Sequence, residues 1–131
     1  MDEESAELIR GVFAAIAAGD LDQLLTLTDP EVEWHSFFSV GESGEYRGHQ
    51  ELGDYLGDLS EAWEELRPVL DDHLRAGDIV IAVGRIEYRG RESGVETTAP
   101  AGWMFELKDG KVLRFRAFRD PEQVLRRIGS A

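Results

Sequence analysis

The chain contains no cysteine. That one absence removes disulfides, thiolate nucleophiles and cysteine-held metals together. Its three histidines, His35, His49 and His73, fall in separate segments with no short ligand spacing. A metal site would have to be assembled wholly by the fold, so neither a metal nor a cofactor is expected. No apolar run approaches the length of a membrane span. The opening MDEESAEL is acidic where a leader would be basic, which makes the cytoplasm the expected location. Basic residues are scarce, 14 Lys and Arg against 27 Asp and Glu, for a net charge of −13. Phosphate contact needs clustered Lys and Arg, so nucleic acid and anionic membranes are not expected partners.

What is present fits one soluble globular domain over residues 1–131, with 42% hydrophobic and 31% charged residues and enough chain for a single core. The charge is uneven: residues 1–72 hold 19 acids and 3 bases, residues 73–131 hold 8 acids and 11 bases. The acids alternate with apolar residues, so an acidic helical half packed on an arginine-rich sheet accounts for them better than an acidic tail.

Residues 5–18 put Leu8, Ile9, Val12, Phe13 and Ile16 at helical spacing, and Gly19 follows as a stop. Asp20 can cap a short second helix, with Gln23 three residues on and Leu21, Leu24 and Leu25 to bury before Pro30. EVEWHSFF, residues 31–38, reads as a strand broken by Gly41 and Gly44. After Gly48 a third helix is predicted to about Leu66, with Leu52, Tyr55, Leu56, Leu59 and Trp63 on one stripe. VLDDHLRA and DIVIAVGRIEYRG read as strands separated by Gly77; VETTAPAGWMFEL and KVLRFRAF form a hairpin across Asp109-Gly110. Asp120-Pro121-Glu122-Gln123 starts a last short helix that closes at Gly129. The expected class is α+β, with helices on one face of an antiparallel sheet.

This order, carried by A18-G-D-L-D22, D29-P-E-V-E-W-H35, Y46-R-G48, R89-G-R-E-S-G94, K108-D-G-K-V112 and R116-A-F-R-D120, resembles the nuclear transport factor 2-like fold. That is a cone-shaped, cystatin-like α+β fold whose N-terminal helices pack on the concave face of a curved sheet. The SnoaL-like and ketosteroid isomerase-like branches are the nearest match. The resemblance implies a conical pocket and a homodimer through the outer sheet face. It also brings isomerases, polyketide cyclases, dehydratases and hydrolases into view, but a fold does not fix a reaction.

An isomerase of this kind uses an Asp base and two hydrogen-bond donors, a Tyr and an Asp kept neutral. The resemblance puts Val12 at the Tyr position, Ser36 at the base, Trp103 near the neutral Asp, and Ala117 where a cyclase carries its acid. None of the four is a carboxylate or a phenol. His35 could stand in as a base near neutral pH. Strand alternation instead groups it with Glu33, opposite Val32, Trp34 and Ser36, so it is expected on the outer face. His49 and His73 are expected to be exposed. Arg85, Glu87 and Arg89, with Arg114 and Arg116, are expected on the outer face pairing with acids across strands; the alternative is that Arg85 or Arg116 binds an anionic ligand group.

The pocket wall is assigned to Val12, Phe13, Ile16, Trp34, Ser36, Tyr55, Leu59, Trp63, Trp103, Phe115 and Ala117, with His35, Ser36, Tyr55 or an arginine as catalytic candidates. Three readings follow. One is a domain that binds a small apolar molecule, flat or cyclic. Another is an enzyme with a non-standard polar set, and the third is a dimeric association module with a filled core. An open cavity with convergent polar groups would favour the enzyme, and an interior filled by aromatics the association module.

Overall fold

A computed structural model describes residues 3–36 and 45–129, with side chains as far as Arg126. Phe37 and Phe38, read as strand, and the break at Gly41 and Gly44 lie outside the described residues. Two helices, α1 (Glu3–Ala18) and α2 (Leu21–Leu27), lead into β1 (Thr28–His35). Then come β2 (Glu45–Arg47), α3 (Gly48–Ala62), β3 (Trp63–Ala76), β4 (Ile79–Gly90), β5 (Glu96–Lys108), β6 (Lys111–Phe118) and α4 (Pro121–Gly129). The strands form one unclosed sheet in the order β2-β1-β6-β5-β4-β3.

Local chemistry sets the joints. Asp20 Oδ1 accepts the Gln23 N–H at 3.1 Å and starts α2, satisfying one of the free donors of its first turn. Asp120 does the same for α4 through the Glu122 N–H at 2.9 Å. Asp109 and Gly110 both take positive φ, 52° and 78°. That is the turn whose twist matches a two-residue hairpin. The inner sheet face meets α1 and α3 through Ile9, Val12, Phe13, Ile16, Leu52, Tyr55 and Leu59, all buried, each contributing about 2 kcal/mol through lost apolar surface.

Three expectations need correction. The sheet is not wholly antiparallel, because β1 and β6 pair in parallel, with Trp34 opposite Phe115. The helices do not all share one face. Val124 of α4 clusters with Ile81 and Phe118, and a Cβ on Gly102 would meet Val124 Cγ1 at 2.6 Å. Gly102 alternates with the inward Ala101 and Trp103, so α4 covers part of the outer face. Finally, α3 stops at Ala62 and not near Leu66. Trp63 already pairs with Gly90 on β4, and cross-strand pairing outweighs the helical spacing of Leu59, Trp63 and Leu66.

Candidate ligand site

Between the sheet and the helices runs a chain of aromatic rings. Trp34 stacks on Phe115 with centroids 3.9 Å apart and planes 13° from parallel. Phe115 meets Phe105 edge-on at 5.2 Å; Phe105 lies 6.2 Å from Phe13, and Phe13 lies 4.6 Å from Trp103. On the other side Trp34 reaches Tyr55 at 5.5 Å, and Tyr55 meets Tyr46 at 5.2 Å. Offset and edge contacts of this kind add to the burial itself.

The structure thus brings together Val12, Phe13, Ile16, Trp34, Ser36, Tyr55, Leu59, Trp103 and Phe115, all buried. Ala117 is half-buried and sits opposite Trp103. Trp63 belongs to a strand rather than the α3 stripe, and makes an edge contact with Tyr88 at 5.0 Å.

Several polar groups interrupt this interior. Burial pushes the Tyr55 phenol up to about 12, with Trp34 and then Ser36 lowering it in part. The Trp34 indole approach falls short of hydrogen-bond geometry, so Nε1 is buried without a hydrogen-bond partner among the described residues. Tyr46 donates to Asp58 Oδ2 at 2.6 Å. Sequence reading missed the Tyr46–Asp58 pair. Tyr46 was visible only as part of the Y46-R-G48 motif. Asp58 stands three residues after Tyr55, the spacing that puts two helical side chains on one face.

Two clefts border this interior. One, of about 580 Å³, lies between the C-terminal half of α1 and the middle of β3, lined by Arg10, Phe13, Ala14, Ala17, Ala18 and residues 67–70. The other, of about 680 Å³, is polar and runs over β2 and the start of α3, from Glu45 to Asp58.

The remaining candidates lie elsewhere. His35 faces outward and pairs with Glu45 at 3.3 Å. On that outer face Arg85 pairs with Asp71 at 2.8 Å, and Arg116 lies over the Phe118 ring at 5.3 Å. His49 is not exposed: Nε2 donates to the Thr28 carbonyl at 3.0 Å, pinning α3 to the α2–β1 joint. His73 is likewise half-buried. Among the described residues no group of three or more His, Asp or Glu could hold a metal ion, and no helix is long and apolar enough to cross a membrane.

Solved structures of similar shape support the architecture. TerC, crystallised with polyporic acid, is 22% identical, with a TM-score of 0.78 over 96% of this chain and 98% of its own. A protein of unknown function with a cystatin-like fold from Xanthomonas campestris is 27% identical, with a TM-score of 0.69 over 90% and 92%. A SnoaL-like protein from a Jannaschia species, described as a polyketide cyclase candidate, is 20% identical, with a TM-score of 0.74 over 98% and 94%. No functionally curated protein matches the sequence closely enough to count as a relative. Residues 9–115 match the SnoaL-like domain, most of the chain, and the protein belongs to that family.

Proposed function

We propose that this SnoaL-like domain binds a small, flat, apolar molecule between α1 and β3, against Phe13. The observation that carries the reading is the cleft of about 580 Å³, a groove open to solvent. Its lining is mostly apolar, and Phe13 connects it to Trp103 and the aromatic chain behind. Ordinary isomerase or cyclase chemistry finds no acid at the four positions the family resemblance picks out. Val12, Trp103 and Ala117 cannot titrate, and Ser36 is no base at neutral pH. Tyr55, still protonated until about pH 12, can donate a hydrogen bond but cannot accept a proton as a phenolate. TerC shows that a related fold can be crystallised with an organic acid.

The test is equilibrium binding of naphthyl compounds followed by tryptophan fluorescence, in the native chain and in Ala14→Trp, which fills the cleft from an exposed helical position. Binding that Ala14→Trp abolishes supports the reading. Binding that it leaves unchanged refutes it.

A second reading has one observation behind it. The hydrogen bond from Tyr46 to Asp58 borders the polar cleft of about 680 Å³, and a phenol held by a carboxylate can pass a proton to a bound substrate. Turnover of any enolisable ketone that Asp58→Asn abolishes would favour it. The interior filled by packed aromatic rings favours the association module as a further reading. For self-association we propose the outer face beside α4, where Leu74 on β3 and Leu125 on α4 remain exposed; light scattering decides it.

A further inference from the structure

The charge of the cleft between α1 and β3 runs against the charge of the chain. The protein carries 27 acids and 14 Lys and Arg, yet no Asp or Glu lines this cleft and its charge comes from Arg10. Arg10 stands at its polar edge, and Phe13, Ala14, Pro68 and Leu70 form its apolar wall, whereas the Arg67 side chain turns to the other sheet face and pairs with Glu87 there. Arg10, Ala14 and Ala17 are spaced to share one face of α1, so the helix itself presents a cation beside small side chains.

Arg10 and Arg67, across the cleft from it, differ in how they are engaged and in which sheet face they serve. Arg67 Nε donates to Glu87 Oε1 at 2.9 Å, and its Nη2 donates to the same oxygen, so its guanidinium is committed on the outer face. Arg10 makes no hydrogen bond or ion pair among the described residues, even with Glu7 one turn before it, whereas Arg47, Arg85, Arg89 and Arg114 all pair with carboxylates. In a chain with this excess of acid, an uncommitted guanidinium on the rim of an apolar cleft is a recognition group in search of an anion. A guanidinium matches a carboxylate with two parallel N–H bonds, and apolar walls behind it exclude compact, fully hydrated anions.

We propose that the ligand is an amphipathic organic acid. Its carboxylate sits against Arg10, and its flat apolar body lies along Phe13 and Leu70. The proposal rests on the cleft reading above and narrows it to a ligand class. It assigns Arg10 as the specificity-determining residue.

Three probes of one shape separate the cases: naphthylacetate, naphthylethanol and naphthylethylamine, titrated into the native chain and into Arg10→Gln. Arg10 is exposed on a helix, so the substitution leaves the fold intact. The expected result is that the acid binds roughly five- to tenfold more tightly than the alcohol, and the amine least. Arg10→Gln should remove that advantage without weakening the alcohol, and added salt should shrink it. If acid and alcohol bind equally in the native chain, or if Arg10→Gln leaves the preference intact, the acid inference is overturned and the cleft reading survives. If none of the three binds, or if Ala14→Trp leaves their binding unchanged, the cleft reading fails and this inference falls with it.

Discussion

Phe13 stands 4.6 Å from Trp103, ring centre to ring centre, with the two planes tilted by 54°, while it also borders the cleft between α1 and β3. It is therefore both core and cleft wall. Phe13→Ala is expected to cost about 3–5 kcal/mol, the range for an emptied aromatic site, measured by urea unfolding. It should also let water reach Trp103 and shift the fluorescence to the red. A cost below about 1 kcal/mol would show that the ring is not packed.

Trp34 offers a different balance. Its ring is fully buried on Phe115, but its N–H has no hydrogen-bond partner among the described residues. A buried unmade hydrogen bond costs about 1–3 kcal/mol. Trp34→Phe removes that cost while it loses some ring contact, so it should fall within about 1 kcal/mol of the native chain. Trp34→Ala should lose about 3–5 kcal/mol. Equal losses for the two variants would show that the indole N–H is satisfied.

Tyr55 sets a pH signature. Its folded value is raised to about 12 by burial, above the ordinary phenol value of about 10. The folded state therefore holds its proton where the unfolded chain has lost it. Stability should be level in this respect below about pH 10 and should fall as pH rises from there towards 12, by about 2 kcal/mol. In Tyr55→Phe that alkaline fall should shrink, and an unchanged profile would assign it to another group.

Across the outer face, Arg114 donates to Glu33 at 2.9 Å and to Glu106 at 2.8 Å, bridging β1, β6 and β5. Glu33 is held below the usual carboxylate range, first by its hydrogen bond from Arg114 and then by nearby cations. A lowered carboxylate supplies stability above its unfolded value and loses it as pH falls through the folded one. In Arg114→Met the Glu33 carboxyl, followed by carbon NMR, should titrate closer to its ordinary value, and the acid limb of the stability profile should flatten. An unmoved Glu33 would mean that the ladder does not form in solution.

Much of this was legible in the chain. The caps at Asp20 and Asp120, the Asp109-Gly110 turn and the inward Val32, Trp34 and Ser36 follow from local chemistry and period-two alternation. The end of α3 was not. Leu59, Trp63 and Leu66 continue a helical stripe, and only the pairing of Trp63 with Gly90 reveals a strand. The start of β1 at Thr28 was hidden by Pro30, which sits where the β1–β6 register shifts between Thr28 and Glu33, so its missing N–H breaks no regular ladder. The aromatic residues of the interior could be named, but not that most of them pack on one another. That depends on ring positions set by four strands and two helices. The cleft residues were harder still. Ala14, Ala17 and Arg10 carry no signal until β3 lies beside them.

The central claim is that a small apolar ligand lies between α1 and β3. The most direct test is to titrate isotope-labelled protein with naphthylacetate and to map the amide and indole shifts by NMR. The expected result is a contiguous set at Arg10, Phe13, Ala14, Ala17 and Leu70, with the Trp103 indole responding through Phe13. Shifts confined to the outer sheet face or to the cleft over β2, or no shifts at all, would contradict the account.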